Sequence, residues 1–171
     1  MKLILTEEQY KLLLKEESSN TYTLYRGSPS ENFEISNKEI WLSENEDYAR
    51  IWGNNIFKIE ITLNKVLDTY NDLGNKRIPL KKIFKYLNSK NVETENFYYV
   101  VRDNDMDEKY TFWELISHHK TINYGWVASD IFSSGYDAIS LFEYGFSRSQ
   151  KSKTFLVKKP KEKLISIEKI N

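Results

Sequence analysis

Cysteine is absent from all 171 residues. That excludes disulfides, thiol catalysis and cysteine-based zinc sites, and it fits a reducing compartment. Charge of one sign is also missing, because 25 Lys and Arg face 25 Asp and Glu for a formal net charge of zero. No global field is available to hold a polyanion, which argues against a nucleic-acid coat protein and leaves only local patches. Long apolar runs are lacking too: nothing approaches the roughly 20 residues a membrane helix needs. The opening stretch, MKLILTEEQYKLLLKEESSN, has acidic and polar residues inside its apolar run, unlike the core of a signal peptide. The expectation is a cytoplasmic protein without a membrane partner. Internal repeats and low-complexity tracts are not found either.

What is present is apolar and aromatic mass. Hydrophobic residues make up 40% of the chain and aromatic ones 15%, with 12 Tyr, 9 Phe and 4 Trp. The length suits one domain with a real core. Aromatic rings bury much surface while keeping polar tips, so an aromatic-lined concave site is easily built.

The pattern along the chain predicts mixed structure. Thr6 with Glu7, Glu8 and Gln9 is a capping-box signature, and Tyr10, Leu13 and Leu14 recur at helical spacing, giving a helix over about 7 to 17. Thr21 to Arg26 alternates as a strand that Gly27-Ser28-Pro29 closes, and Glu39 to Leu42 is a second short strand. Ser43 to Glu46 starts a short helix carrying Tyr48, Ala49 and Trp52, with Gly53 as its stop. Ile56 to Leu63 alternates for eight residues, the clearest strand of all. Beyond it, Pro79 opens a helix to Leu87, residues 97 to 101 have strand chemistry, and Tyr110 to His119 reads as helical. Trp126 to Ser133 forms a short helix, followed by strands at Asp137 to Phe142, Thr154 to Val157 and Leu164 to Ile170. The segment SRSQKSK at 147 to 153 reads as a flexible basic loop.

Three separated elements carry the chemistry: Tyr25-Arg26-Gly27 at a strand end, Trp41-Leu42-Ser43 running into the Tyr48/Trp52 helix, and the run from Gly135 to Glu143. Together, and in this order, they resemble the ADP-ribosyltransferase family, most closely its small phage and toxin-type members. Residues 22 to 70 and 134 to 170 carry the likeness, and about 71 to 125 reads as an insertion atypical of the family. The resemblance implies an α+β fold, a split β-sandwich of the ADP-ribosyltransferase type with peripheral helices. It also implies that Arg26 ends the first strand, Ser43 precedes the helix, and Glu143 is the catalytic acid.

The chemistry of NAD suits these residue types. Arg26 is the side chain able to grip a diphosphate through paired charge-assisted hydrogen bonds, and Gly27 beside it permits close backbone approach. Breaking the bond between ribose and nicotinamide builds positive charge on the sugar, which a fixed carboxylate at Glu143 stabilises. Ser43 can orient that carboxylate or the ribose. Tyr48 and Trp52, one turn apart, can wall the nicotinamide pocket. No metal is required, because nicotinamide leaves as a neutral group.

Each residue also has an ordinary reading. Arg26 suits a surface charge, Ser43 an N-cap, and Tyr48 and Trp52 a core stripe. Glu143 has a rival in Glu162, which follows Pro160 after the Thr154 to Val157 strand. Asp103, Asp105, Asp107 and Glu114 fall at the first, third, fifth and twelfth places of a calcium-loop template, but Glu108 stands where the template needs glycine, so a solvated loop is preferred. Adjacent His118 and His119 face different sides of a helix and make a poor metal pair. From Arg148 to Lys163, seven basic residues meet one acidic residue, a patch suited to a nucleic-acid acceptor, to the phosphates of NAD, or to plain solvation. The function expected is an NAD-dependent mono-ADP-ribosyltransferase, with NAD as substrate and a macromolecular acceptor, protein ahead of nucleic acid. The alternatives are an NAD glycohydrolase and a catalytically inactive binding module of the same fold.

Overall fold

The computed structural model describes residues 20–94, 106–117, 125–144 and 151–170. The helix expected over 7 to 17, the strand at 97 to 101 and the pair His118-His119 lie outside them. The described chain runs β1 (Asn20–Ser28), β2 (Ile40–Ser43), α1 (Glu46–Ala49), a 3-10 turn (Arg50–Trp52), β3 (Asn55–Leu63), β4 (Val66–Asp68) and α2 (Thr69–Asp72). Then come β5 (Ile78–Pro79), α3 (Leu80–Ser89), β6 (Lys109–Tyr110), α4 (Phe112–Ile116) and α5 (Gly125–Ser133). Last are β7 (Ala138–Tyr144), β8 (Lys151–Val157), α6 (Pro160–Lys163) and β9 (Leu164–Lys169).

Seven strands form one mostly antiparallel sheet in the order β4-β7-β8-β2-β1-β3-β9, and β5 pairs with β6 in a separate ribbon. The exception to antiparallel pairing is β4 against β7. Parallel neighbours need a long crossover, and the chain from Thr69 to Asp137 supplies it. The stretch at about 71 to 125, expected as an insertion, falls within that connection. It also builds core: Leu80, Ile83 and Leu87 recur along one stripe of α3 and are fully buried, joined by Phe112, Leu115 and Ile116 of α4.

The sheet separates two apolar clusters. On one side Ile139, Leu141 and Leu156 pack beneath α3, α4 and α5. On the other, Leu24, Leu42, Phe57, Ile59, Ile61, Phe155 and Val157 pack together. The alternation of β3 fits its place, since the odd-numbered residues Phe57 to Leu63 are all buried.

One junction in the sheet is thin. β1 and β3 pair through nine residues, whereas β1 and β2 pair only at Tyr25 opposite Ser43. Past that pair the strands part, leaving β1-β3-β9 on one side and β2-β8-β7-β4 on the other.

Candidate active site

The parting of β1 from β2 creates a polar problem that Arg26 solves. In β2 the Trp41 carbonyl would reach a β1 amide in a continuous ladder; here it accepts a hydrogen bond from Arg26 Nη1 at 3.1 Å. Arg26 shares its side of β1 with Leu24, a member of the cluster opposite the helices. In a flat sheet it would stay on that side, so the gap is what admits it to the cavity on the other.

The cavity encloses about 360 Å³, and its lining includes Arg26, Glu39, Trp41, Trp52, Trp113 and Glu143. These residues come from β1, β2 and the segment before it, the 3-10 turn, α4 and β7. Arg26 is flanked by the Trp52 ring, its guanidinium carbon 4.6 Å from the ring centroid. Burial pulls the guanidinium below its ordinary range, and the charge of Glu143 offsets part of that. Among the described residues no ion pair within 4 Å joins the two.

The Glu143 carboxyl is perturbed by its surroundings. Burial raises its carboxyl from an ordinary 4.5 to about 7. The nearby Thr154 hydroxyl, the Arg26 charge and the Trp113 indole favour the anion and offset burial only in part. The Thr154 hydroxyl and the Trp113 indole act on the carboxyl as hydrogen-bond donors, although Thr154 Oγ1 and Glu143 Oε2 are both buried without a bond of strict geometry. The contact is thus loose.

The helix that precedes the 3-10 turn is fixed at its N-terminus. Asn45 Oδ1 accepts from the Tyr48 amide at 2.9 Å and is the N-cap, so the cap expected of Ser43 belongs to its neighbour two residues on. Gly27, expected to admit a close approach of NAD to the backbone, is outside the cavity lining and is packed against the protein itself: a Cβ there would overlap the carbonyl oxygens of Ala49 and Gly53. Gly53 turns the chain back at φ 155° against Ser28. The two glycines let the 3-10 turn lie on the end of β1 and place Trp52 over Arg26.

Among the sequence-derived site residues, Arg26, Trp52 and Glu143 are brought to one cavity. Tyr48 does not line it. The ring is buried and meets Trp52 edge-on at 5.8 Å, so it braces Trp52 from behind instead of forming the wall. Ser43 is fully buried and shares a hydrogen bond with Ser152 at 2.8 Å. Ser152 stands opposite Glu143 in the β7–β8 register, which puts Ser43 one residue behind the acid. Glu162 sits on α6, half exposed and paired with Lys159 at 3.1 Å, outside the cavity lining.

Residues 151 to 153 of the supposed loop belong to β8. Within the basic run, Lys153 faces Glu44 and Asp68, Lys159 faces Glu162, Lys163 faces Asp137, and Lys158 donates to the Phe132 carbonyl. Of the calcium-template residues, Asp107 pairs with Lys81, and Glu114 pairs with Arg77 while closing a capping box with Thr111. Asp103 and Asp105 lie outside the described residues. Trp113 went unnoticed in the sequence as a site residue; its place just after the Thr111 cap was the available signal.

No protein-family model matches this chain, and no curated protein matches it. Among solved structures, one titled "Crystal structure of an anti-CRISPR protein" is similar at 17% identity, covering 88% of this chain and 96% of that one, with a TM-score of 0.45. A likeness of that size carries no functional argument.

Proposed function

We propose that this chain is an NAD-dependent mono-ADP-ribosyltransferase, and that its seven-stranded sheet, parted between β1 and β2, corresponds to the split β-sandwich expected of that family. One observation carries the reading: Arg26 and Glu143, 117 positions apart in the chain, line the same tryptophan-rich cavity. Sequence order alone does not bring them together. A guanidinium for the diphosphate and a carboxylate for the sugar are the two charges that cleavage of NAD requires.

The volume lies at the small end of ligand sites. It accommodates the nicotinamide-ribose end, with the diphosphate against Arg26 and the adenosine end along the mouth. Arg26 uses one donor on Trp41, and the rest of its fork remains for phosphate oxygens. Glu143 acts in its ionised form, facing the ribose as positive charge builds there. The aromatic faces of Trp41 and Trp113 stack with the nicotinamide cation and exclude water.

Incubation with NAD labelled in the adenylate, with and without candidate protein and RNA acceptors, tests the proposal. Free nicotinamide together with a labelled macromolecule supports transfer. Nicotinamide with free labelled ADP-ribose points to a glycohydrolase, and unconsumed NAD points to a binding module.

A further inference from the structure

Among the described residues, four buried side-chain atoms lack a hydrogen-bond partner: Tyr48 OH, Ser117 Oγ, Glu143 Oε2 and Thr154 Oγ1. Buried polar atoms are paired almost without exception, so each of these calls for an explanation. Glu143 has its place in the reaction proposed above, and the Thr154 hydroxyl acts on Glu143. Of the other two, Ser117 lines the cavity and Tyr48 does not. The hydroxyl of Ser117 is thus a polar group at the cavity with no part in the fold's own bonding.

Ser117 is set in place by α4, a helix of five residues held at both ends. At its start Thr111 and Glu114 close a capping box, and Arg77 grips Glu114 through hydrogen bonds of 3.0 and 3.2 Å. At its end the Ser117 amide donates to the Trp113 carbonyl at 2.8 Å. Trp113 and Ser117 stand four residues apart, a spacing that puts side chains on one helix face. Both line the cavity, as does Ile116, and so do buried Ala128 and Leu156. This part of the cavity therefore offers an indole, an aliphatic wall and one hydroxyl. No bond holds that hydroxyl in its present rotamer, so it can turn toward a ligand.

Such a surface fits a flat heteroaromatic ring that bears one short polar group. Charge narrows the choice of group: two carboxylates, Glu39 and Glu143, line the cavity against one guanidinium, Arg26, which favours a neutral amide over an acid. We infer that Ser117 is a specificity-determining residue that recognises the carboxamide of nicotinamide. The ring stacks on Trp113, and the hydroxyl pairs with the amide one helical turn away. The inference rests on the NAD reading and adds to it a residue of the crossover between β4 and β7, outside the segments that carry the family likeness.

The test is isothermal titration of the Glu143→Gln protein, in which NAD should bind without turnover. The two ligands are NAD and pyridine adenine dinucleotide, the analogue that lacks the carboxamide. This parent should bind NAD about tenfold more tightly than the analogue; adding Ser117→Ala should weaken NAD by about tenfold and leave the analogue within about twofold. A parent that binds both ligands equally overturns the inference and leaves the NAD reading standing. A Ser117→Ala effect of the same size on both ligands, or none on NAD, does the same. Because the hydroxyl holds no bond in the free protein, Ser117→Ala should melt no lower than its parent. A lower melt gives the hydroxyl a structural role and overturns the inference. A folded parent that binds neither ligand defeats the NAD reading and the inference with it.

Discussion

Arg26 closes a gap in the sheet and faces the cavity at once, and the two roles separate by substitution. Arg26→Ala leaves the Trp41 carbonyl without its donor, a loss of about 1–3 kcal/mol in stability, measurable by urea unfolding. Arg26→Lys keeps a charge but not the planar fork, so stability falls less while KM for NAD rises by about tenfold or more. Glu143 makes the sharper residue-scale prediction. Its folded-state pKa, about 7, lies above the ordinary 4.5, so the stability it confers is complete below about 4.5 and is lost as pH rises through about 7. Glu143→Gln, neutral at every pH, should therefore match the wild type near pH 4.5 and exceed it near pH 8.5, by on the order of 2 kcal/mol. Thermal melts at both pH values check the sign. Turnover of NAD by the wild type, which needs the anion, should rise with pH through the same region.

At the scale of elements, the site depends on how α1 and the 3-10 turn sit on β1. Gly27→Ala forces a methyl group into the Ala49 and Gly53 carbonyls, so the turn must lift and Trp52 with it. The expected result is a loss of more than about 2 kcal/mol in stability, together with weakened NAD binding. Much of this architecture was legible in the sequence, and the reasons are local. The alternation from Ile56 to Leu63 reads directly as β3 because its odd-numbered residues are buried, and Pro79 marks the start of α3 as the residue immediately before its first turn. Ser43 was misread as a cap because Asn45, two residues on, is an equally good one and only the backbone geometry chooses. β4 and α2 were missed because three residues such as Val66–Asp68 carry no period; their place comes from pairing with distant β7.

For the whole molecule, the convergence of Arg26 and Glu143 was proposed from residue order, but the cavity's make-up was not. Trp113 and Glu39 join it through the crossover and the approach to β2, and long-range topology of that kind leaves no signature in local spacing. The rival acid has a different neighbourhood. Glu162→Gln loses an exposed pair with Lys159, so nicotinamide release should be unchanged and stability altered by less than about 1 kcal/mol.

Soaking crystals of Glu143→Gln with NAD and solving their structure bears most directly on the shared cavity. The nicotinamide-ribose bond should lie among Trp41, Trp113 and residue 143, with the diphosphate on Arg26. NAD bound on another surface, or absent from the cavity at saturating concentration, would contradict the account.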